Sequence, residues 1–104
     1  MTMGALKGSY DVSQRVVRVL CIEDNPAQAE LVREMLGEAA RRHPGEGQFH
    51  VVTAGRLEQG LERLGPQRID VVLTDLDLPD SRSMTTYMRL RNSAPHVPIV
   101  VLTG

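Results

Sequence analysis

Three carboxylates, placed at the ends of two apolar runs, are the residues of this sequence best suited to chemistry. Glu23 and Asp24 close the run from Val16 to Ile22, and Asp75 closes the run from Ile69 to Thr74. Each run is too short for a helix and is followed by turn residues, Asn25-Pro26 in the first case and Pro79-Asp80 in the second. Short Val/Leu runs bounded in this way read as strands buried on both faces, as in a parallel sheet. Two such strands would deliver the three carboxylates to the carboxyl edge of the sheet, where open α/β sheets bind ligands.

Hard cations such as Mg²⁺ favour carboxylate oxygens and keep several waters. Three carboxylates converging without a cation repel one another and raise at least one pKa. A cation relieves that repulsion and leaves one carboxylate free to act as a nucleophile, for which an aspartyl phosphate is a known product. It would also offset charge on a transferring phosphoryl group. The plainer alternatives are that Glu23-Asp24 cap the following helix and that Asp75 is a strand-end turn residue. The matched strand-end positions favour the metal.

Lesser candidates surround these. Asp77 either adds negative charge or offers its backbone carbonyl, and Asp80 suits the start of a turn before the third helix. Thr103, at the end of the last apolar run, could donate its hydroxyl to a phosphoryl oxygen. His43, His50 and His96 show no ligand spacing. Cys21, the sole cysteine, excludes an internal disulfide and a cysteine-rich zinc site and reads as a buried, inert thiol.

The elements that must position these groups alternate. A strand from Val16 to Ile22 leads into a helix opened by Pro26, with Asp24 or Asn25 as its cap. Ala29, Val32, Met35, Leu36 and Ala39 form its apolar stripe, and Arg41-Arg42 suit its last turn. Phe49 to Thr53 reads as a strand, and Leu57, Leu61 and Leu64 mark a short helix with Gly60 inside it. The strand from Ile69 to Thr74 follows. Met84, Tyr87, Met88 and Arg91 indicate a third helix closed by Ala94-Pro95, and Pro98 to Leu102 a fourth strand. Strands alternating with helices imply an α/β fold with right-handed crossovers.

At 104 residues the chain is one domain at most. With only Phe49, Tyr10 and Tyr87 aromatic, its core must be aliphatic. A net charge of -1 gives no reason to expect a nucleic-acid partner. No apolar run approaches the ~20 residues of a membrane span, and the opening residues lack a secretory signal. A cytoplasmic protein is expected, with residues 1–14 as a flexible lead-in and 15–104 as the domain.

Three segments together carry a family resemblance: Val19-Leu20-Cys21-Ile22-Glu23-Asp24-Asn25, Asp70 to Asp80, and Pro98-Ile99-Val100-Val101-Leu102-Thr103-Gly104. In type, order and spacing they resemble the receiver domain of two-component response regulators. The resemblance implies a flavodoxin-like, doubly wound parallel sheet, here partial, with strand order 2-1-3-4 and the fifth strand absent. It also implies that Glu23 and Asp24 hold Mg²⁺ and that Asp75 is phosphorylated by a histidine kinase or phosphotransfer protein. The main-chain carbonyl of Asp77 would complete the metal shell, and Thr103 would be the hydroxyl that moves towards the phosphate. Two departures stand out. Ser83 takes a place where the family usually has glycine, and the family's fifth-strand lysine has no counterpart, since Lys7 is the only lysine.

The expected function is therefore a phosphoacceptor module rather than an enzyme. The alternatives are a degenerate receiver used only for protein contacts and, through Asp75-x-Asp77, a haloacid-dehalogenase-type phosphohydrolase. Strand four is almost wholly apolar, so its edge should drive homodimerisation.

Overall fold

The computed structural model of the protein describes residues 15–102. Four strands, β1 (Val16–Ile22), β2 (Gln48–Ala54), β3 (Val71–Thr74) and β4 (Ile99–Val101), form one parallel sheet in the order β2-β1-β3-β4. Three helices connect them: α1 (Pro26–Arg42), α2 (Leu57–Leu64) and α3 (Ser83–Ser93). The α/β class and the order 2-1-3-4 are those expected. The lead-in at residues 1–14 and the position of Thr103 lie outside the described residues.

The register levels the ends that matter. β1 pairs with β3 from Val19↔Val71 to Ile22↔Thr74, and with β2 from Val16↔Gln48 to Ile22↔Ala54. The pairing runs past the strand ends, where Asp75 N–H donates to the Ile22 carbonyl at 3.0 Å and Glu23 N–H to the Ala54 carbonyl at 2.9 Å. Glu23 and Asp75 are thereby fixed as neighbours on the carboxyl edge.

Leu20, Ile22 and Val72 on one face of the sheet meet Leu57 of α2 and Leu90 of α3 in a single aliphatic core, joined by Ala54, Ile69 and Leu78. Gly60 of α2 sits directly on Ile22, so the glycine within that helix is the point of closest approach to the sheet. Helix α1 begins at Asn25, whose Oδ1 accepts from Ala27 N–H at 2.9 Å, with Pro26 in the first turn. Of the two cap candidates it is Asn25, not Asp24, that does this.

Burial departs from expectation in two places. Val72 and Thr74 are buried, but Val71 and Leu73 on the opposite face are only half-buried. Helix α1 packs over β1 and β2, and β3 lies to one side of it. The stripe of α1 is correspondingly incomplete: Ala29 is buried, whereas Met35 is 62% exposed. In α3 the helix is where it was expected but its inner face is not. Met84 and Met88 are exposed, and the buried pair one turn apart is Thr86 and Leu90. Among the described residues no helix is long and apolar enough to cross a membrane.

Candidate functional site

Glu23, Asp24 and Asp75 can each present one carboxylate oxygen so that all three lie within 4.8 Å of one another. Two adjacent parallel strands ending at the same level produce this, and Asp24 joins as the next residue of the turn into α1. Glu23 and Asp75 are half-buried and Asp24 is exposed. Burial raises the pKa of Glu23; the Asn25 N–H, 3.3 Å from its Oε2, opposes the shift, and neighbouring Asp24 and Asp75 add to it. The expectation that convergent acids raise at least one pKa is met at Glu23, with desolvation the largest single cause and the neighbouring carboxylates adding to it. Half-buried carboxylates with open sides are the donor set a hard, partly hydrated cation requires.

Asp75 is held by its own loop. Its Oδ1 accepts from Asp77 N–H at 3.0 Å, and the Thr74 hydroxyl donates to its carbonyl at 2.7 Å. The carboxylate of Asp77 serves the loop instead of the cluster, accepting from Ser83 N–H at 3.3 Å. Of the two options for Asp77, added charge at the site is therefore the weaker. Beyond it, Leu78 and Ser81 bond to each other across Pro79-Asp80.

An open groove between α1 and the end of β4 leads to Glu23 and Asp75 past Leu31, Val32, Met35 and Leu102. Leu102 N–H donates to the Thr74 carbonyl at 2.8 Å, so the chain just past β4 stays beside the end of β3. The histidines take no part: His43 lies 3.6 Å from Glu46 at the far end of α1.

Two residues, Asp80 and Thr86, have parts here that the sequence reading did not give them. Asp80 does lie in a turn, but its carboxylate reaches back to the first N–H groups of α2. The signal was Arg56, which leaves that helix without a side-chain cap. Thr86 is fully buried and bonds to the loop after β3, which a hydroxyl residue one turn before Leu90 could have suggested. Ser83, already singled out as standing where the family usually has glycine, adopts φ 54°, the left-handed conformation that glycine takes without strain.

Known proteins are similar to this chain in sequence and in fold. A family model described as "Response regulator receiver domain" matches residues 19–104. The probable transcriptional regulatory protein TcrX of Mycobacterium tuberculosis (strain ATCC 25618 / H37Rv) is 33% identical over 88 residues, covering 85% of this chain and 34% of that protein. The chain thus spans about a third of the length of the curated relatives it matches. Among solved structures, the MaeR response regulator bound to beryllium trifluoride superposes with a TM-score of 0.71 at 20% identity, covering 85% of this chain and 67% of that one. A chain from the complex of histidine kinase ThkA with response regulator protein TrrA gives a TM-score of 0.59 at 22% identity, covering 85% and 69%. At those identities the two structures speak for the fold.

Proposed function

Because this chain belongs to the response regulator receiver domain family, we propose that it is a phosphoacceptor module in which Asp75 takes a phosphoryl group from a histidine kinase or phosphotransfer protein. The observation that carries this reading is the convergence of Glu23, Asp24 and Asp75 at the level ends of two adjacent strands. A carboxylate oxygen of Asp75 attacks the phosphorus of a phosphohistidine. The P–O bond forms as the P–N bond breaks, and the imidazole leaves with that electron pair and takes up a proton.

Glu23, Asp24, Asp75 and the main-chain carbonyl of Asp77 would hold Mg²⁺. When bound, the ion supplies positive charge against the transferring phosphoryl oxygens and lets the acids sit together. The hydroxyl of Thr103 is assigned the switch role towards the phosphoryl group. The open groove beside Asp75 gives a bulky donor access. That a response regulator and a histidine kinase form a complex in one structural neighbour supports the choice of partner.

The reading carries with it a cytoplasmic signalling module with protein partners, not an enzyme, a nucleic-acid binder or a membrane protein. Residues 15–104 are its domain, preceded by the lead-in at 1–14. Self-association belongs to the same proposal: among the described residues β4 pairs with β3 alone, and Val100 and Val101 on it are exposed. Light scattering over a dilution series should show a homodimer that dissociates on dilution, and a monomer at every concentration would remove it.

Acetyl phosphate in the presence of Mg²⁺ tests the main claim. Mass spectrometry should find the phosphoryl group on Asp75, with none on the Asp75→Asn protein. A folded protein that is never labelled would instead support a receiver used only for protein contacts.

A further inference from the structure

The peptide group joining Leu76 to Asp77 is held at both ends. Its N–H donates to Asp75 Oδ1 at 3.0 Å, and its carbonyl lies 2.8 Å from Thr86 Oγ1 in α3. A peptide unit is planar and stiff, so fixing the direction of the carbonyl also fixes the direction of the N–H. Thr86 Oγ1 lies 2.7 Å from Ser81 Oγ as well. A carbonyl can only accept, so the single Thr86 proton goes to Leu76 and the Ser81 hydroxyl supplies the proton of the second bond. Every atom of this chain is satisfied only in that order.

We propose that Thr86 is a positioning residue for the acceptor carboxylate. Through the Leu76 carbonyl it aims the Asp77 N–H at Asp75 Oδ1, and so sets the orientation of the group that attacks phosphorus. Thr86 is fully buried in α3, on the helix face that carries Leu90 into the core. The rigid helix therefore supplies a reference point that the exposed loop lacks. Solvent cannot replace the lost donor at a buried threonine, so its removal frees the peptide to rotate. That Asp75 is the acceptor rests on the function proposed above; the orientation of the peptide does not.

Two variants separate shape from hydroxyl. Thr86→Val keeps the volume and loses the donor, and Thr86→Ser keeps the donor. In Thr86→Val, hydrogen exchange at the Asp77 amide should accelerate about tenfold relative to the Val72 and Leu73 amides, the usual weight of one such hydrogen bond. Labelling of Asp75 by acetyl phosphate should slow by a similar factor, and Thr86→Ser should restore both. A merely structural threonine would lower the melting temperature and speed exchange at all three amides alike; that outcome overturns the proposal. So does accelerated Asp77 exchange with labelling unchanged. If the wild type is not labelled at all, the phosphoacceptor reading fails, and the positioning claim is decided by the relative exchange of Asp77 alone. Should Thr86→Val not fold, Thr86→Cys, whose thiol donates weakly, is read by the same outcomes.

Discussion

The carboxylate of Asp80 caps a helix that begins 23 residues earlier, accepting from Leu57 N–H at 2.8 Å and, through its other oxygen, from Glu58 N–H at 3.0 Å. The loop that follows β3 thus satisfies two of the orphan donors at the start of α2 and places a negative charge at the positive end of its dipole. Glu58 also pairs with Arg89 of α3 at 2.6 Å. Helix α2 is tied down at its N-terminus by the loop after β3 and by helix α3.

Removing this cap should cost stability. Asp80→Ala is expected to lose about 1 kcal/mol, as at other helix caps, with the loss in exchange protection concentrated in α2. Bonds from the Glu58 and Leu57 amides hold the Asp80 pKa below its ordinary 3.8. A depressed carboxyl contributes stability above its unfolded pKa and loses it as pH falls through the folded one. The wild type should therefore lose its advantage over Asp80→Asn only in acid below 3.8, as denaturant titrations at stepped pH would show. An advantage that is independent of pH would show that the carboxylate charge plays no part.

Glu23 should behave in the opposite sense. Its pKa lies above the ordinary 4.5, chiefly through burial. A raised carboxyl contributes stability that is complete below the unfolded pKa and disappears as pH rises through the folded one. Cation-free protein should gain stability from Glu23 on acidification towards 4.5, a window above that of Asp80. At neutral pH, Glu23→Gln should melt higher than the wild type without Mg²⁺ and be stabilised less by adding it. Thermal melts with and without the ion provide the check, and a lower-melting Glu23→Gln protein would contradict the expectation.

Ser83, at φ 54°, carries backbone strain where the loop after β3 enters α3. A left-handed L-residue costs roughly 1–2 kcal/mol, against which glycine brings an entropic cost of roughly 0.5–1 kcal/mol. Relief exceeds cost, so Ser83→Gly should be more stable by roughly 0.5–1 kcal/mol. Chemical denaturation with an unchanged m-value would measure it.

Gly60→Ala sets helix propensity against packing. Alanine in place of an interior glycine gains about 1 kcal/mol in an isolated helix. Here the added methyl would collide with Ile22, which is fully buried at the centre of the core. Overpacking a close-packed core costs about 1–3 kcal/mol, so the variant should be less stable than the wild type. A rise in melting temperature would mean that Ile22 can move aside.

What the sequence determined by itself was the set of elements, their order and the acid triad. Alternating short apolar runs and amphipathic stretches specify the α/β class, the strand order following from the family resemblance, and the strand-end carboxylates announce themselves where an apolar run gives way to charge and a turn. All of this is local information, encoded by periodicity, turn residues and the abrupt change from Ile22 to Glu23 and from Thr74 to Asp75.

Tertiary structure decided where each side chain points. The half-exposure of Val71 and Leu73 follows from where α1 lies, not from their hydrophobicity. Met84 and Met88 look like a core stripe in the sequence, yet the face that meets the sheet carries Thr86 and Leu90. Asp80 resembles any turn aspartate until α2 arrives beside it with no cap of its own. The Thr86 hydroxyl gains its part only because α3 brings it to the Leu76 carbonyl. Hydrogen bonds between residues 10 to 23 positions apart depend on helix placement, and helix placement is settled by packing, for which no short window of sequence holds the signal.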